Sequence, residues 1–125
     1  METIFAPQAP AAIGPYSHAV VHGGLVYCSG QIPLDPKTME LVGTTVEEQT
    51  RQVMANLKLV LEAAGTGLNK ILKATIFLST MDDFMGMNQV YEAALEGHRP
   101  ARSAFEVGRL PKDALVEIEC IAAIE

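Results

Sequence analysis

Arg99-Pro100-Ala101-Arg102-Ser103-Ala104-Phe105-Glu106-Val107-Gly108-Arg109-Leu110-Pro111-Lys112-Asp113-Ala114-Leu115-Val116-Glu117-Ile118-Glu119 is the stretch on which the fold turns. Two β-prone runs flank Pro111-Lys112-Asp113-Ala114, a turn-like composition, so an antiparallel hairpin is expected. In Val116-Glu117-Ile118-Glu119-Cys120 apolar and acidic residues alternate. Val116, Ile118 and Cys120 therefore share one face, and Glu117 and Glu119 the other. Arg102 heads the preceding strand with a planar donor fork that matches a carboxylate. A glutamate on the next strand would hold or activate water. Together they describe a site for a small carboxylic acid.

Upstream of that hairpin the pattern changes period. Thr45-Val46-Glu47-Glu48 has capping-box spacing, with Thr45 as N-cap and Glu48 reaching back. Val53, Leu57, Val60, Leu61 and Ala64 follow at helical spacing, and Gly65 supplies the stop. Ile71 to Ser79 reads as a strand with Leu72, Ala74, Ile76 and Leu78 on one face and Ile71, Lys73, Thr75 and Phe77 on the other. A second helix, from about Asp82 to Leu95, buries Phe84, Met87, Tyr91 and Ala94 or Leu95. Gly97-His98-Arg99-Pro100 ends it. Nearer the start, His18-Ala19-Val20-Val21 and Leu25-Val26-Tyr27-Cys28 are strands joined at Gly23-Gly24, and Ser29-Gly30-Gln31 closes the second. Residues 1–13 hold a short apolar segment around Ile4-Phe5, then Ala6-Pro7-Gln8-Ala9-Pro10, which reads as extended and loop-like. The sum is ββαβαββ, an α+β sheet with two helices on one face. Phe77, Ile121 and Ala123 then leave the opposite face apolar, which predicts a homo-oligomer.

The chain has 125 residues, about the size of one domain spanning 1–125. Acidic residues exceed basic ones by 15 to 9, for a formal charge of −6, and no Lys/Arg cluster stands out. That argues against a nucleic-acid surface. Met1-Glu2-Thr3 opens with an acid and no apolar leader follows, and the apolar runs are too short to cross a bilayer. A cytoplasmic protein is expected, with no membrane partner. Cys28 and Cys120 lack metal-type spacing and read as buried thiols. His18, His22 and His98 are scattered and read as surface residues, so no metal site is expected. Met81, Met85 and Met87 read as core and helix-packing residues.

Four separated motifs add to this. Ala12-Ile13-Gly14-Pro15-Tyr16-Ser17, Ser29-Gly30-Gln31-Ile32-Pro33-Leu34-Asp35-Pro36, Pro100-Ala101-Arg102-Ser103 and Glu106-Val107-Gly108-Arg109-Leu110-Pro111-Lys112-Asp113 resemble the Rid family of enamine/imine deaminases, its RidA subgroup above all. The resemblance runs essentially end to end. It implies a chorismate-mutase-like fold assembled as a homotrimeric barrel with clefts between subunits. It implies hydrolysis of 2-imino acids such as 2-iminobutanoate and 2-iminopropanoate, or their enamine tautomers, to 2-keto acids and ammonia, without cofactor or metal. By the same resemblance Arg102 grips the substrate carboxylate. Glu117 is the acid associated with the water, Tyr16, Ser29 and Gly30 line the cleft, and Ile32 and Phe84 contribute apolar wall. Where relatives often carry cysteine this chain has Ala104, which removes a thiol role there and leaves only its backbone carbonyl.

Without the resemblance, each residue has a plainer reading. Arg102 would be a strand salt bridge to Glu106, Glu117 and Glu119 a solvated edge, and Tyr16 a packed turn aromatic. Ser29 near His18 or His22 lacks a third orienting group, which disfavours a serine hydrolase. Two other functional classes stay open: a non-enzymatic module that binds or senses small keto or amino acids, and the ribonuclease, translation-inhibitor or chaperone-like activities reported for relatives.

Overall fold

A computed structural model describes residues 1–124. The elements run β1 (Glu2–Ile4), β2 (Ala19–His22), β3 (Leu25–Gln31), α1 (Val46–Ala63), β4 (Ile71–Leu78), α2 (Phe84–Leu95), β5 (Ala101–Glu106) and β6 (Val116–Ala123). They form one six-stranded sheet in the order β1-β2-β3-β6-β4-β5, with both helices packed on one face. This is the expected α+β, chorismate-mutase-like architecture. Among the described residues no helix is long and apolar enough to cross a membrane.

The local signals act as expected in α1. Thr45 accepts from the Glu48 amide at 3.2 Å while Glu48 Oε1 accepts from the Thr45 amide at 3.2 Å, which closes the capping box. Such a cap stabilises a helix start by about 1 kcal/mol. Val53, Leu57, Val60 and Leu61 are buried against the sheet. The β2–β3 hairpin turns at Gly23 and Gly24, with φ of +60° and +77°, a conformation that only residues without a Cβ adopt freely. Ala6 to Pro10 carry no strand, as expected, while the apolar segment before them enters an edge strand, Glu2–Ile4, paired with β2; three residues are too short a run for the sequence to show a period.

The larger correction concerns the last two strands. They do not form a hairpin. β5 pairs in parallel with β4, and β6 lies antiparallel between β3 and β4. A parallel pair needs a crossover, which α2 supplies. The chain from β5 to β6 passes over the end of β4. There Val107 N–H donates to the Leu78 carbonyl at 2.9 Å and Ser79 N–H to that of Leu115 at 3.1 Å. Gln49 of α1 secures the connection by accepting from Leu115 N–H at 2.8 Å.

β4 also departs from simple alternation. Ala74, Ile76 and Leu78 face the helices as expected, but Ile71 is buried and Leu72 is 49% exposed. An irregularity against β6 between Ile71 and Lys73 shifts the register and exchanges the two side chains. Of the methionines Met81, Met85 and Met87, only Met87 is core, since the other two are exposed. On the face away from the helices, Tyr27 and Phe105 stay exposed beside half-buried Phe77, Ile121 and Ala123. Phe77 and Phe105 meet edge to face at 5.4 Å.

Candidate functional site

Arg102 lies on the edge strand β5, opposite Ala74 of β4, and points to the helix side. Three residues of α2, spaced one turn apart, surround its guanidinium. Nη1 donates to Asn88 Oδ1 at 2.5 Å, and the guanidinium carbon stands 5.4 Å from the Phe84 ring centre and 5.1 Å from that of Tyr91. No carboxylate pairs with Arg102 among the described residues. The expected alternative, a bridge to Glu106, does not form, because Glu106 Oε1 accepts the Met81 amide at 2.9 Å. A cavity of about 460 Å³ opens beside the cation, lined by Asn88, Tyr91, Arg99 and Pro100 among others. Ala104 follows on the same side of β5, half-buried.

Glu117 occupies a different place. It stands on β6 opposite Phe77, on the face away from the helices. Its carboxylate lies flat against the backbone of Gly30. A Cβ on that glycine would overlap Glu117 Oε2 and come within 3.0 Å of Cδ. The irregular register of β3 between Cys28 and Gln31 is therefore the place where strand backbone and acid meet. Burial first, and then the neighbouring Glu119 carboxylate, holds the Glu117 carboxyl above the usual carboxylate range. A carboxyl so placed exchanges its proton nearer neutrality, as a general acid–base group requires.

Ser29, next to Gly30, ties in the N-terminal segment by donating from Oγ to the Ser17 carbonyl at 2.7 Å. That bond sets the backbone beside Tyr16, whose side chain is about half exposed. Ile32 follows the end of β3 half-buried, its carbonyl accepting from Asn56 Nδ2 at 3.3 Å and from Leu34 N–H at 2.8 Å.

The expected site residues thus fall into two groups. Arg102, Phe84 and Ala104 belong to the α2–β5 edge; Glu117, Gly30, Ser29, Ile32 and Tyr16 belong to the β3–β6 end. Along β4 the partners of Arg102 and Glu117, Ala74 and Phe77, are three residues apart. An odd separation places them on opposite faces of the sheet. Within one chain they cannot touch the same small molecule.

Asn88 is a site residue that sequence reasoning misses. It is a polar residue one turn after Phe84 and one turn before Tyr91 on the stripe that meets the sheet, and that interruption is its only signal. His18 is not the surface residue its scattered position suggests, since it is 3% exposed. His98 is half-buried, with Nε2 2.7 Å from the Ile71 carbonyl. Cys28 and Cys120 are buried thiols as expected, and they face each other across β3 and β6. The hydrogen bond that its S–H donates to Cys28, and then burial, push Cys120 upward, so it stays a thiol rather than a nucleophilic thiolate.

The family profile described as Endoribonuclease L-PSP matches residues 6–124. A RutC family protein of Pyrococcus horikoshii is 52% identical over 121 residues, covering 97% of this chain and 96% of the relative. A protein of Salmonella typhimurium named 2-iminobutanoate/2-iminopropanoate deaminase is 48% identical over 124 residues, covering 97% of this chain and 96% of the relative. Among solved structures, E. coli TdcF with bound serine superposes with a TM-score of 0.94 at 40% identity, over the whole of both chains.

Proposed function

We propose that this chain, which belongs to the Rid (endoribonuclease L-PSP) family, hydrolyses 2-imino acids of the 2-iminobutanoate and 2-iminopropanoate type to 2-keto acids and ammonia. The observation that carries the reading is the unpaired Arg102 guanidinium, oriented by Asn88 and two aromatic rings beside an open cavity. A half-buried arginine on an edge strand that met only structural needs would be expected to pair with an acid. Here its second donor edge is left for a carboxylate from outside. The Salmonella relative's name points to the same substrates.

The chemistry asks little of the protein. A protonated imine carbon is already electrophilic, so no covalent nucleophile is required. Arg102 fixes the carboxylate, Phe84 and Ile32 wall the apolar side chain, and Ser29, Gly30 and Tyr16 offer polar and backbone contacts. Glu117 takes a proton from the attacking water as the C–O bond forms and returns it to nitrogen. As the C–N bond then breaks and ammonia leaves, the hydroxyl gives its proton to Glu117, which passes it to ammonia or water, and the C=O bond is complete. General acid–base help of this kind contributes a factor of about 10²–10⁴. Because Arg102 and Glu117 lie on opposite faces of one sheet, a site that uses both draws them from two copies of the chain. The apolar face with Tyr27, Phe77, Phe105 and Ile121 supports assembly through the sheets, and a homotrimer with clefts between subunits satisfies both requirements.

The test couples the protein to a pyridoxal-phosphate threonine dehydratase and follows 2-ketobutyrate release. Wild type should quicken release, and Arg102→Ala should lose nearly all of the effect; equal acceleration by both sinks the assignment. Binding without turnover is a second reading, favoured by the serine bound to TdcF. It predicts 2-ketobutyrate binding with no change in release. The net charge of −6 weighs against RNA as the substrate.

A further inference from the structure

Residues 5–17 form an arch that leaves β1 and returns to β2 carrying Tyr16. Its backbone is sparsely fastened. Ala9 N–H donates to the Ala6 carbonyl and Tyr16 N–H to that of Gly14, but both bonds are internal. From Phe5 to Tyr16, every hydrogen bond that joins the arch to the rest of the described chain ends on one side chain, His18. Ala6 N–H donates to Nδ1 at 2.8 Å, and Nε2 stands 2.7 Å from the Pro10 carbonyl.

These partners define the state of the ring. Nδ1 accepts, so it carries no proton; Nε2 faces a carbonyl, so it carries one. Only the neutral Nε2–H tautomer satisfies both. The ring is 3% exposed, with the Phe5 ring 6.1 Å away between centroids and the apolar Ala6 and Ala9 beside it in the core. No acidic or basic side chain stands within ion-pair distance of it among the described residues. A second proton would point an N–H at the Ala6 N–H and bury a charge without a counter-ion.

We propose that neutral His18 is a positioning residue that clamps the arch and thereby holds Tyr16 and Ser17 against Ser29 at the Glu117 end of the site. The His18 carbonyl accepts the Ser29 amide at 2.9 Å, so ring, arch and Ser29 form one connected unit. The functional half of this inference rests on the deaminase reading; the clamp itself does not.

The test compares wild type, His18→Gln and His18→Leu by amide exchange of the 5–17 segment and by the coupled deaminase assay. Both are read at neutral pH. Glutamine offers an acceptor and a donor in one planar amide, whereas leucine offers neither. His18→Leu should lose about tenfold of the arch protection, the worth of about one hydrogen bond, and His18→Gln should restore most of it. In activity, kcat/KM should fall severalfold in His18→Leu and recover in His18→Gln. Full arch protection in His18→Leu, or no recovery of protection and turnover in His18→Gln, overturns the proposal. Should exchange follow the expected pattern while none of the three proteins deaminates, the clamp stands and the deaminase reading alone fails.

Discussion

The two ends of the candidate site are built by different means. At the α2–β5 edge, side chains do the orienting: Asn88, Phe84 and Tyr91 hold the Arg102 guanidinium from one helix. At the β3–β6 end, backbone does it, and Glu117 is set by the missing side chain of Gly30 and the irregular register around it. The first arrangement keeps a charge available by surrounding it with neutral and aromatic partners. The second raises a carboxyl's proton affinity by burying it against strand backbone. The difference shows how one α+β sheet can present a cation and an acid that never meet within a chain.

The sharpest break of that comparison is complementation. Arg102→Ala and Glu117→Gln should each be nearly inactive. Co-expressed in equal amounts, they should regain about a quarter of wild-type activity, because one half of the cations times one half of the acids are intact at interfaces between copies. No recovery would mean that both groups act from one chain or that one of them is idle.

A smaller effect is expected from Gly30→Ala. The added methyl displaces only the flexible end of Glu117, so the fold and melting temperature should change little. Activity should nonetheless drop about 10²-fold, as when a general acid–base group is misplaced. A large loss of stability without a selective loss of turnover would assign Gly30 to folding alone.

The smallest effect concerns pH and stability. Glu117 has its folded value raised, so the folded chain binds more protons than the unfolded one in the window between the two values. Wild type should therefore lose stability relative to Glu117→Gln as pH rises from the ordinary glutamate value of about 4.3 through the raised one. The difference should be small, since the half-buried group stays partly solvated. A wild type that instead gains melting temperature on Glu117→Gln over that window would mean the carboxyl is stabilised in its charged form.

Much of the fold is legible along the chain. The capping box at Thr45, the Gly23-Gly24 turn and the alternation of Val116 to Cys120 are local patterns with local causes, and each appears where its residues stand. The hairpin expected around Pro111 to Ala114 does not form, because a turn-like composition says where a chain bends, not which strand it meets. Consecutive strands are usually neighbours but need not be. Here β4, from well upstream, takes the place between β5 and β6. The burial of His18 escapes a reading of the sequence for a similar reason, since its two partners come from a segment without periodic signal. At the site, Arg102 and Glu117 stand out by residue type and motif, whereas Asn88 shows only as a polar break in an apolar stripe.

Sequence by itself determined the helices, most of the strands, their buried faces and the motifs that mark the family, because backbone preference and side-chain period act over a few residues. Tertiary structure alone decided that β4 separates the final strands, that Asn88 steadies Arg102 and that Glu117 looks out from the other face. Those outcomes depend on pairing and parity between distant strands, and nothing in the spacing of neighbours along the chain encodes them.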